Sequence, residues 1–309
     1  MGSKSVSFSL ISKISSDLLI PVENLRYIIR TSPYRYKKYS IPKRRGRGVR
    51  SIAQPAKEVK KLQYWVIKNV LSKYPVHPAA TAYKKESSIL QNAEIHLDSR
   101  CLLKLDFEDF FPSILATDIV HFFEKGSLEF DEEEVNALAS ILSWARTRTA
   151  ERVVAIGAPS SPMLTNIMLY DFDSVVRRWC DETKINYTRY ADDISLSGDS
   201  KESLAEAKRK IAELLEEMNS PRLSLNNDKT VFAMKPFRRF VTGLYLSNED
   251  KISLGRDKKR AIRAKVHHFV NGKFNQDQIQ HLRGVIAFAR SVEPEFVERL
   301  ENKFGKLFQ

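Results

Sequence analysis

Three aspartates lie where apolar segments of the chain end. Asp106 follows the largely apolar segment 102–105, and Asp192 and Asp193 separate the segments 187–190 and 194–196. Carboxylates in such positions lie close to a hydrophobic core, where an unpaired negative charge costs free energy. A divalent cation offsets that cost. Because the ligands are oxygens with little His or Cys nearby, they favour Mg²⁺.

Two interpretations of these aspartates stay open from their spacing alone. Aspartate is favoured in turns, so an Asp-Asp pair in a hairpin needs no catalytic role. Alternatively, two Mg²⁺ ions held by Asp106, Asp192 and Asp193 would activate an attacking hydroxyl and stabilise a leaving pyrophosphate.

The elements that would position these carboxylates alternate between strands and helices. The pattern predicts a strand over 102–107, a hairpin over 187–196 that turns at Ala191-Asp192-Asp193, and a second hairpin with arms at 240–246 and 251–254. From about residue 256 the apolar spacing predicts helices only. This order indicates an α+β fold with an appended helical bundle.

Basic residues are concentrated in two runs. The 309 residues include 51 Lys and Arg against 38 Asp and Glu, a net charge of +13. Residues 35–61 contain eleven Lys or Arg and one acid, with Arg45-Gly-Arg-Gly48 as an expected flexible loop tip, and residues 256–274 contain seven and one. Either run alone is usually a solvated face, but two such runs favour a nucleic-acid partner.

Several other classes of protein are disfavoured by composition. Two cysteines, Cys101 and Cys180, are too few for a disulfide framework or a cysteine-based zinc site. No apolar run approaches the ~20 residues that span a bilayer. Charged residues also interrupt the N-terminal segment, which argues against a secretory signal. We therefore expect a cytoplasmic protein with no membrane partner.

The assembled motifs resemble those of the bacterial retron reverse transcriptases, over roughly residues 25–290. As a set, in this order and spacing, they are highly specific, whereas any one of them is weaker. The matching segments are Arg50-Ser-Ile-Ala-Gln-Pro55 with Leu62-Gln63, Asn92-Ala-Glu-Ile-His96, Leu105-Asp106 through Phe111-Pro112-Ser113, Gly157-Ala-Pro-Ser-Ser-Pro162 with Asn166, Arg189-Tyr190-Ala-Asp192-Asp193, Asn226-Asn-Asp-Lys229-Thr230 and Val241-Thr242-Gly243.

The resemblance implies a right-hand polymerase fold. Fingers and palm would be interleaved over residues 1–250, the palm being an antiparallel sheet with helices, and a helical thumb would cover 251–309. Asp106 and Asp192 would be the main ligands of two Mg²⁺ ions, with the backbone carbonyl of Phe107. Asp193 would be an outer or variable ligand.

The resemblance also implies contacts with the nucleotide. Phe111 stands at the sugar-gate position, where a ring under the sugar excludes a 2′-hydroxyl. Plain core packing is the alternative for Phe111 and the expected role of Phe110. Arg50 would clamp the triphosphate, unless it belongs to a generic basic surface, and Gly157 and Ala158 belong to the template-side motif. Lys229 either approaches the triphosphate or is a solvated turn lysine. Ile156 departs from the family pattern, which commonly has glutamine there, and this puts the details of nucleotide contact in doubt.

Further positions are implied in nucleic-acid binding. Asn92 and His96 are four residues apart, so a helix would place both on one face; they would help to recognise the cognate RNA, unless His96 is a satisfied structural residue. Thr242 and Gly243 belong to the primer-grip hairpin. The thumb residues that would bind an RNA stem-loop are Lys258, Lys259, Arg263, Lys265 and His268.

By this resemblance the chain is an RNA-directed DNA polymerase that uses dNTPs. It would copy a cognate structured non-coding RNA into single-stranded DNA, starting from a guanosine 2′-hydroxyl. The product would be a branched RNA–DNA hybrid that serves in antiphage defence with an effector protein. The alternatives are a nucleic-acid-binding scaffold for an effector, with polymerisation secondary, and a reverse transcriptase of another bacterial branch.

Overall fold

The computed structural model describes residues 9–42, 48–84 and 87–308. The α-helices in these ranges are α1 Leu10–Leu18, α2 Val22–Thr31, α3 Lys57–Asn69, α4 Ile89–Glu94, α5 Ala116–Lys125, α6 Glu132–Leu142, α7 Ser161–Met168, α8 Tyr170–Glu182, α9 Lys201–Glu217, α10 Arg256–Val270, α11 Gln276–Val292 and α12 Pro294–Phe304. The strands are β1 Tyr36–Pro42, β2 Val49–Pro55, β3 Cys101–Asp106, β4 Ser143–Ala145, β5 Arg152–Val154, β6 Asn186–Tyr190, β7 Asp193–Gly198, β8 Val231–Met234, β9 Arg239–Val241, β10 Leu244–Leu246 and β11 Ile252–Ser253.

The central sheet is antiparallel in the order β6-β7-β3-β8. Its middle strands β3 and β7 are almost wholly buried. Strand β3 is accordingly apolar along most of its length, whereas β7 alternates Ile194 and Leu196 with the buried Ser195 and Ser197. Helices α8 and α9 pack against strands of this sheet and share its hydrophobic core. The predicted strand at 102–107 and the hairpin at 187–196 are both confirmed, within a residue or two.

A long hairpin, β1 with β2, precedes the central sheet. Its register runs from Tyr36 opposite Pro55 to Pro42 opposite Val49. The loop tip expected around Arg45-Gly-Arg-Gly48, with four basic residues of the first run, falls largely on 43–47, outside the described residues.

Beyond the central sheet lie a small meander and three helices. Strands β9, β10 and β11 form the meander, and helices α10, α11 and α12 follow it with a second hydrophobic core. The predicted single strand over 240–246 is wrong. Thr242 and Gly243 both have positive φ, at 44° and 90°, and form a two-residue turn that splits the segment into β9 and β10.

The α+β fold with a helical C-terminal region is confirmed. The second core also takes in Ala93 of α4 and Leu102 of β3, so the helical region is packed onto the central sheet. Within the described ranges no helix is both long and apolar enough to cross a bilayer.

Candidate active site and nucleic-acid contacts

The three predicted carboxylates meet at one end of the central sheet. Asp106 ends β3 and stands opposite Asp193, the first residue of β7. Asp193 is also opposite Tyr190, so Ala191 and Asp192 form the connecting turn. The backbone N–H of Phe107 donates to the Asp192 carbonyl oxygen at 3.3 Å. Strand register alone therefore places all three aspartates side by side.

Negative charge at this end of the sheet is only partly compensated. Burial raises the pKa of Asp192, and the charges of Asp106 and Asp193 raise it further. Burial also raises the pKa of Asp193, while the Lys104 ammonium opposes that shift. Both carboxyls consequently favour a cation nearby.

Two lysines provide positive charge beside these carboxylates. Lys229 Nζ lies 2.5 Å from Asp106 Oδ1, and Lys104 Nζ lies 3.9 Å from Asp193 Oδ1. In the described part of the chain, no three His, Cys, Asp or Glu side chains are grouped so as to enclose a metal ion unaided. Such an open set of oxygen ligands suits Mg²⁺, which usually binds through one or two carboxylates together with substrate phosphates.

A buried arginine holds the Ala191-Asp192 turn in place. Arg189 is fully buried, and its guanidinium donates to both carboxylate oxygens of Asp173, at 2.9 and 2.6 Å. It also donates to Asn166 Oδ1 and to the Ala191 carbonyl oxygen, each at 3.1 Å. Because Ala191 has a positive φ of 59°, this last bond secures a turn conformation that a non-glycine residue adopts at a cost.

The template-side motif packs against the strand that carries Arg50. Gly157 has φ 112°, and a Cβ there would lie 2.9 Å from Ile52 Cγ2 on β2. The Ala53 N–H donates to the Ile156 carbonyl oxygen at 2.9 Å. Arg50 is exposed on β2, whereas the Ala158 side chain is buried in a small apolar cluster. Any nucleotide contact at Ala158 would therefore use its backbone.

The two phenylalanines after Asp106 differ in environment. Phe110 is buried and stacks on Phe107 with ring centroids 5.3 Å apart, which confirms its predicted place in the core. Phe111 is only partly buried and packs on Phe110 at 5.2 Å. The sugar-gate role of Phe111 stays a prediction.

The structure joins two motifs that the sequence presents separately. Asn92 Nδ2 donates to Thr242 Oγ1 at 3.4 Å, and that hydroxyl donates to the Ile89 carbonyl oxygen at 3.2 Å. On the other side of the turn, Lys258 Nζ donates to the Gly243 carbonyl oxygen at 2.7 Å. Helix α4, the β9–β10 turn and helix α10 are thus held together at one point.

His96 does not share a helix face with Asn92. Helix α4 ends at Glu94, and His96 is completely buried, with its ring nitrogens 2.8 Å from the hydroxyls of Ser197 and Thr188. Burial lowers the pKa of His96 from 6.5 to about 3. The structure supports the structural interpretation of His96, because its side chain has no surface to offer to RNA.

The basic residues predicted on the thumb lie on two flanks of α10. Lys258 packs over the Phe288 ring of α11, and Lys265 Nζ lies 2.9 Å from His281 Nε2 on the same helix. On the other flank, Lys259 pairs with Glu293 at 2.5 Å and Arg263 lies over Phe296 of α12. His268 is exposed. Lys259 is thus engaged in an ion pair within the protein.

Sequence reasoning missed three residues around the site. Lys104 belongs to none of the motifs, although its period-two spacing from Asp106 places both residues on one face of β3. Fully buried Arg239 donates to the carbonyl oxygens of Leu97, Ser99 and Ser247, and no local pattern marks it. Tyr83, which lies beside Tyr190, was also missed.

The sequence is similar to known polymerases over most of its length. The family model for reverse transcriptase (RNA-dependent DNA polymerase) matches residues 41–281. The retron Ec83 reverse transcriptase of Escherichia coli is 40% identical over 273 residues, which cover 88% of this chain and 87% of that protein. The retron Ec86 reverse transcriptase of the same species is 35% identical over 295 residues, covering 93% and 88%.

A more distant likeness is found among solved structures. The apo telomerase of Candida tropicalis superposes with a TM-score of 0.51 at 12% sequence identity. The match covers 91% of this chain and 60% of the telomerase chain. At this identity the likeness bears on the fold alone.

Proposed function

Since the chain belongs to the retron reverse transcriptases and is an RNA-directed DNA polymerase, we propose that it copies part of a cognate structured non-coding RNA into single-stranded DNA. Synthesis starts from the 2′-hydroxyl of a guanosine in that RNA and leaves a branched RNA–DNA hybrid. dNTPs are the substrates, and the hybrid acts with an effector protein in bacterial antiphage defence. The protein works in the cytoplasm.

One observation carries the catalytic part of this proposal. The register of β3 with β7 brings Asp106 and Asp193 face to face, and the β6–β7 turn adds Asp192. A merely structural Asp-Asp turn would not need a third carboxylate from a strand some 80 residues earlier. Nor would it need the buried Arg189 network beneath it.

These residues fit a pair of Mg²⁺ ions. Asp106, Asp192 and Asp193 would hold them together with the backbone carbonyl of Phe107. The donors are hard oxygens. Burial, together with the charges of neighbouring carboxylates, raises the pKa of Asp192 and Asp193, and a cation would stabilise their ionised forms. When bound, the ions activate an attacking hydroxyl and stabilise negative charge on the leaving oxygens.

Other residues near the three aspartates bind and orient the nucleotide. Arg50 provides a planar guanidinium suited to triphosphate oxygens. Lys229 pairs with Asp106 in the structure, and it would be available to the triphosphate where a metal ion takes up that carboxylate. Gly157 brings its turn against the Arg50 strand, and the Phe111 ring selects a sugar without a 2′-hydroxyl.

The RNA is held away from the three aspartates. Exposed basic residues of α10 contact the phosphates of a stem-loop, which is recognised largely by shape and backbone. The β9–β10 hairpin, which faces the primer, is held in place by Asn92, Thr242 and Gly243. These residues do not recognise the RNA directly. We assign residues 1–250 to fingers and palm and 251–309 to the thumb.

Primer extension tests the catalytic centre. With an RNA template, a DNA primer and Mg²⁺, we expect the wild-type chain to synthesise DNA. The double variant Asp192→Asn with Asp193→Asn should lose at least about a thousandfold in rate, because metal ligands supply several kcal/mol of transition-state stabilisation. RNA affinity should persist in that variant. Wild-type-like synthesis by the double variant would overturn the assignment of the site.

A further inference from the structure

Tyr83 is an exposed aromatic residue at the edge of the catalytic turn. Its side chain is 61% exposed, and its ring centroid lies 6.4 Å from that of Tyr190 with the planes inclined by 32°. Tyr190 directly precedes the Ala191-Asp192 turn. Two aromatic faces therefore stand next to each other beside the carboxylates.

The backbone at Tyr83 is in a conformation that tyrosine rarely adopts. Its φ of 60° lies in the left-handed region, where a bulky side chain is disfavoured and glycine is not. Residues held in such regions cluster at active sites and ligand clamps. A tyrosine at this position is thus best explained by a use for its ring.

The segment before Tyr83 is fixed to the same arginine network as the catalytic turn. The Thr81 N–H donates to the Arg189 carbonyl oxygen at 2.8 Å, and Ala80 forms a parallel bridge with Arg189. Asn166 Nδ2 donates to the Ala82 carbonyl oxygen at 2.8 Å, while Asn166 Oδ1 accepts from the Arg189 guanidinium at 3.1 Å. Asn166 thus ties the segment leading to Tyr83 to the arginine that secures Ala191, so Tyr83 and the aspartates keep a fixed separation.

The charges around Tyr83 locate it between two parts of the site. Partial burial raises the pKa of its hydroxyl, as do Tyr190 and Asp192, whereas Arg50 lowers it. The charges of Asp192, at the end of the sheet, and of Arg50, on β2, therefore both act on the Tyr83 hydroxyl. A nucleotide bound between Asp192 and Arg50 would pass beside this ring.

We propose that Tyr83 stacks, beside Tyr190, on the nucleobase pair at the site of polymerisation. The inference rests on the proposed assignment of Asp106, Asp192 and Asp193 as the catalytic centre. Stacking suits the residue because an exposed flat ring offers a face to any base, regardless of sequence. The rigid attachment to Arg189 sets the height of that base pair relative to the aspartates.

Three variants separate the ring from the backbone and the hydroxyl. Tyr83→Gly removes the ring and relieves the backbone, Tyr83→Ala removes the ring alone, and Tyr83→Phe removes only the hydroxyl. Tyr64→Ala is the matched control, because Tyr64 is 54% exposed and lies on α3. Single-nucleotide incorporation on an RNA template with a DNA primer gives kcat/KM for dNTP. The fluorescence of 2-aminopurine at the templating position reports stacking without chemistry.

We expect Tyr83→Gly and Tyr83→Ala to lose about tenfold or more in kcat/KM, in line with the measured worth of base–aromatic stacking. They should also raise the 2-aminopurine fluorescence of the bound duplex. Tyr83→Phe and Tyr64→Ala should stay within about twofold of wild type. The Tm of Tyr83→Gly should be no lower than that of wild type, since glycine adopts a positive φ without steric strain.

Wild-type kinetics and wild-type fluorescence in Tyr83→Gly would overturn the inference. A Tyr83→Phe variant as impaired as Tyr83→Gly would overturn stacking as the role of the ring. The double variant Asp192→Asn with Asp193→Asn is assayed alongside. If it incorporates nucleotides normally, the catalytic assignment fails and the Tyr83 inference fails with it. If it is inactive while Tyr83→Gly is normal, only the Tyr83 inference fails.

Discussion

The Asp192 carboxylate bears its charge where burial and two neighbouring carboxylates oppose it, so its pKa is raised in the folded state. A raised carboxyl pKa means that the ionised form destabilises the metal-free fold at neutral pH. We therefore expect Asp192→Asn to raise the Tm in EDTA, by about 2–4 °C for each kcal/mol relieved, while nearly abolishing DNA synthesis.

Differential scanning calorimetry in EDTA checks this expectation. Asp171→Asn is the control, because Asp171 is exposed in the first turn of α8, where a negative charge is favourable. The control should leave the Tm unchanged or lower it slightly. A lower Tm for Asp192→Asn than for wild type would contradict the electrostatic account of the site.

His96 makes the fold sensitive to acid. Its pKa is about 3 in the folded protein against 6.5 ordinarily, so the unfolded chain binds a proton below pH 6.5 that the folded chain does not. The stability that this difference contributes is complete above pH 6.5 and is lost as the pH falls toward 3. Between pH 6.5 and 5 the loss is roughly 2 kcal/mol.

Denaturant unfolding of His96→Gln across this pH range measures the effect. We expect the variant to be less stable than wild type at pH 7.5, since hydroxyl partners are disturbed, but to lose less stability on acidification. His268→Gln, at an exposed position, should follow the wild-type curve. Parallel curves for wild type and His96→Gln would show that His96 is not the acid-sensitive group.

At the scale of elements, the turn at 155–158 can approach β2 closely because residue 157 is glycine and has no side chain. A Cβ on Gly157 would lie 2.9 Å from Ile52 Cγ2 and 3.2 Å from the Ala53 carbonyl oxygen, at a φ of 112°. Gly157→Ala should therefore cost about 1–3 kcal/mol of stability. It should also raise the KM for dNTP, because the displaced strand carries Arg50.

Gly284→Ala is the matched control for this substitution. Gly284 lies inside α11 with nothing within 4 Å of an added Cβ, so alanine should stabilise the helix by about 0.5–1 kcal/mol. The two Gly→Ala changes should thus shift the Tm in opposite directions. An unchanged Tm and KM in Gly157→Ala would refute the close-packing explanation.

Helix α10 can be tested as an RNA-binding element while its ion pair with Glu293 stays intact. The Tm of the variant is measured alongside, because Lys258 also donates to the Gly243 carbonyl oxygen. Lys259 is paired with Glu293, so it is left in place, and Lys258, Arg263 and Lys265 are replaced together with Gln. Affinity for the cognate RNA should fall, and the log–log salt slope should shallow by at most about one unit per lost phosphate contact. An unrelated duplex should lose less.

Neutralising Lys201, Lys208 and Lys210 of α9 removes the same charge elsewhere and serves as the control. Binding titrations at several salt concentrations compare the two triple variants. Equal losses from both would indicate a general effect of net charge. If neither triple variant loses RNA affinity, α10 is an ordinary solvated face.

At the scale of the whole molecule, sequence patterns predict those features that residues close together in the chain determine. Asp106, Asp192 and Asp193 could be found because each ends or begins an apolar segment, and the helical tail because its apolar spacing is regular. The burial of residues whose partners lie far away in the sequence could not be predicted from it. His96 meets Ser197 across 101 positions of sequence, and Arg239 meets carbonyl groups about 140 positions away.

The same reasoning explains why the contact between Asn92 and Thr242 went unpredicted. The two residues are 150 positions apart, and they meet only because the C-terminal core includes Ala93 and Leu102. Helix α4, the β9–β10 turn and α10 therefore behave as one structural unit, although the sequence gives them as three motifs.

The nucleic acid retained by the purified full-length protein tests the central claim most directly. We predict an RNA joined through a guanosine 2′-linkage to single-stranded DNA, detected by sequencing before and after ribonuclease treatment. The double variant Asp192→Asn with Asp193→Asn should retain the RNA without attached DNA. Retained DNA with no covalent link to RNA, or the same branched molecule from the double variant, would contradict the account.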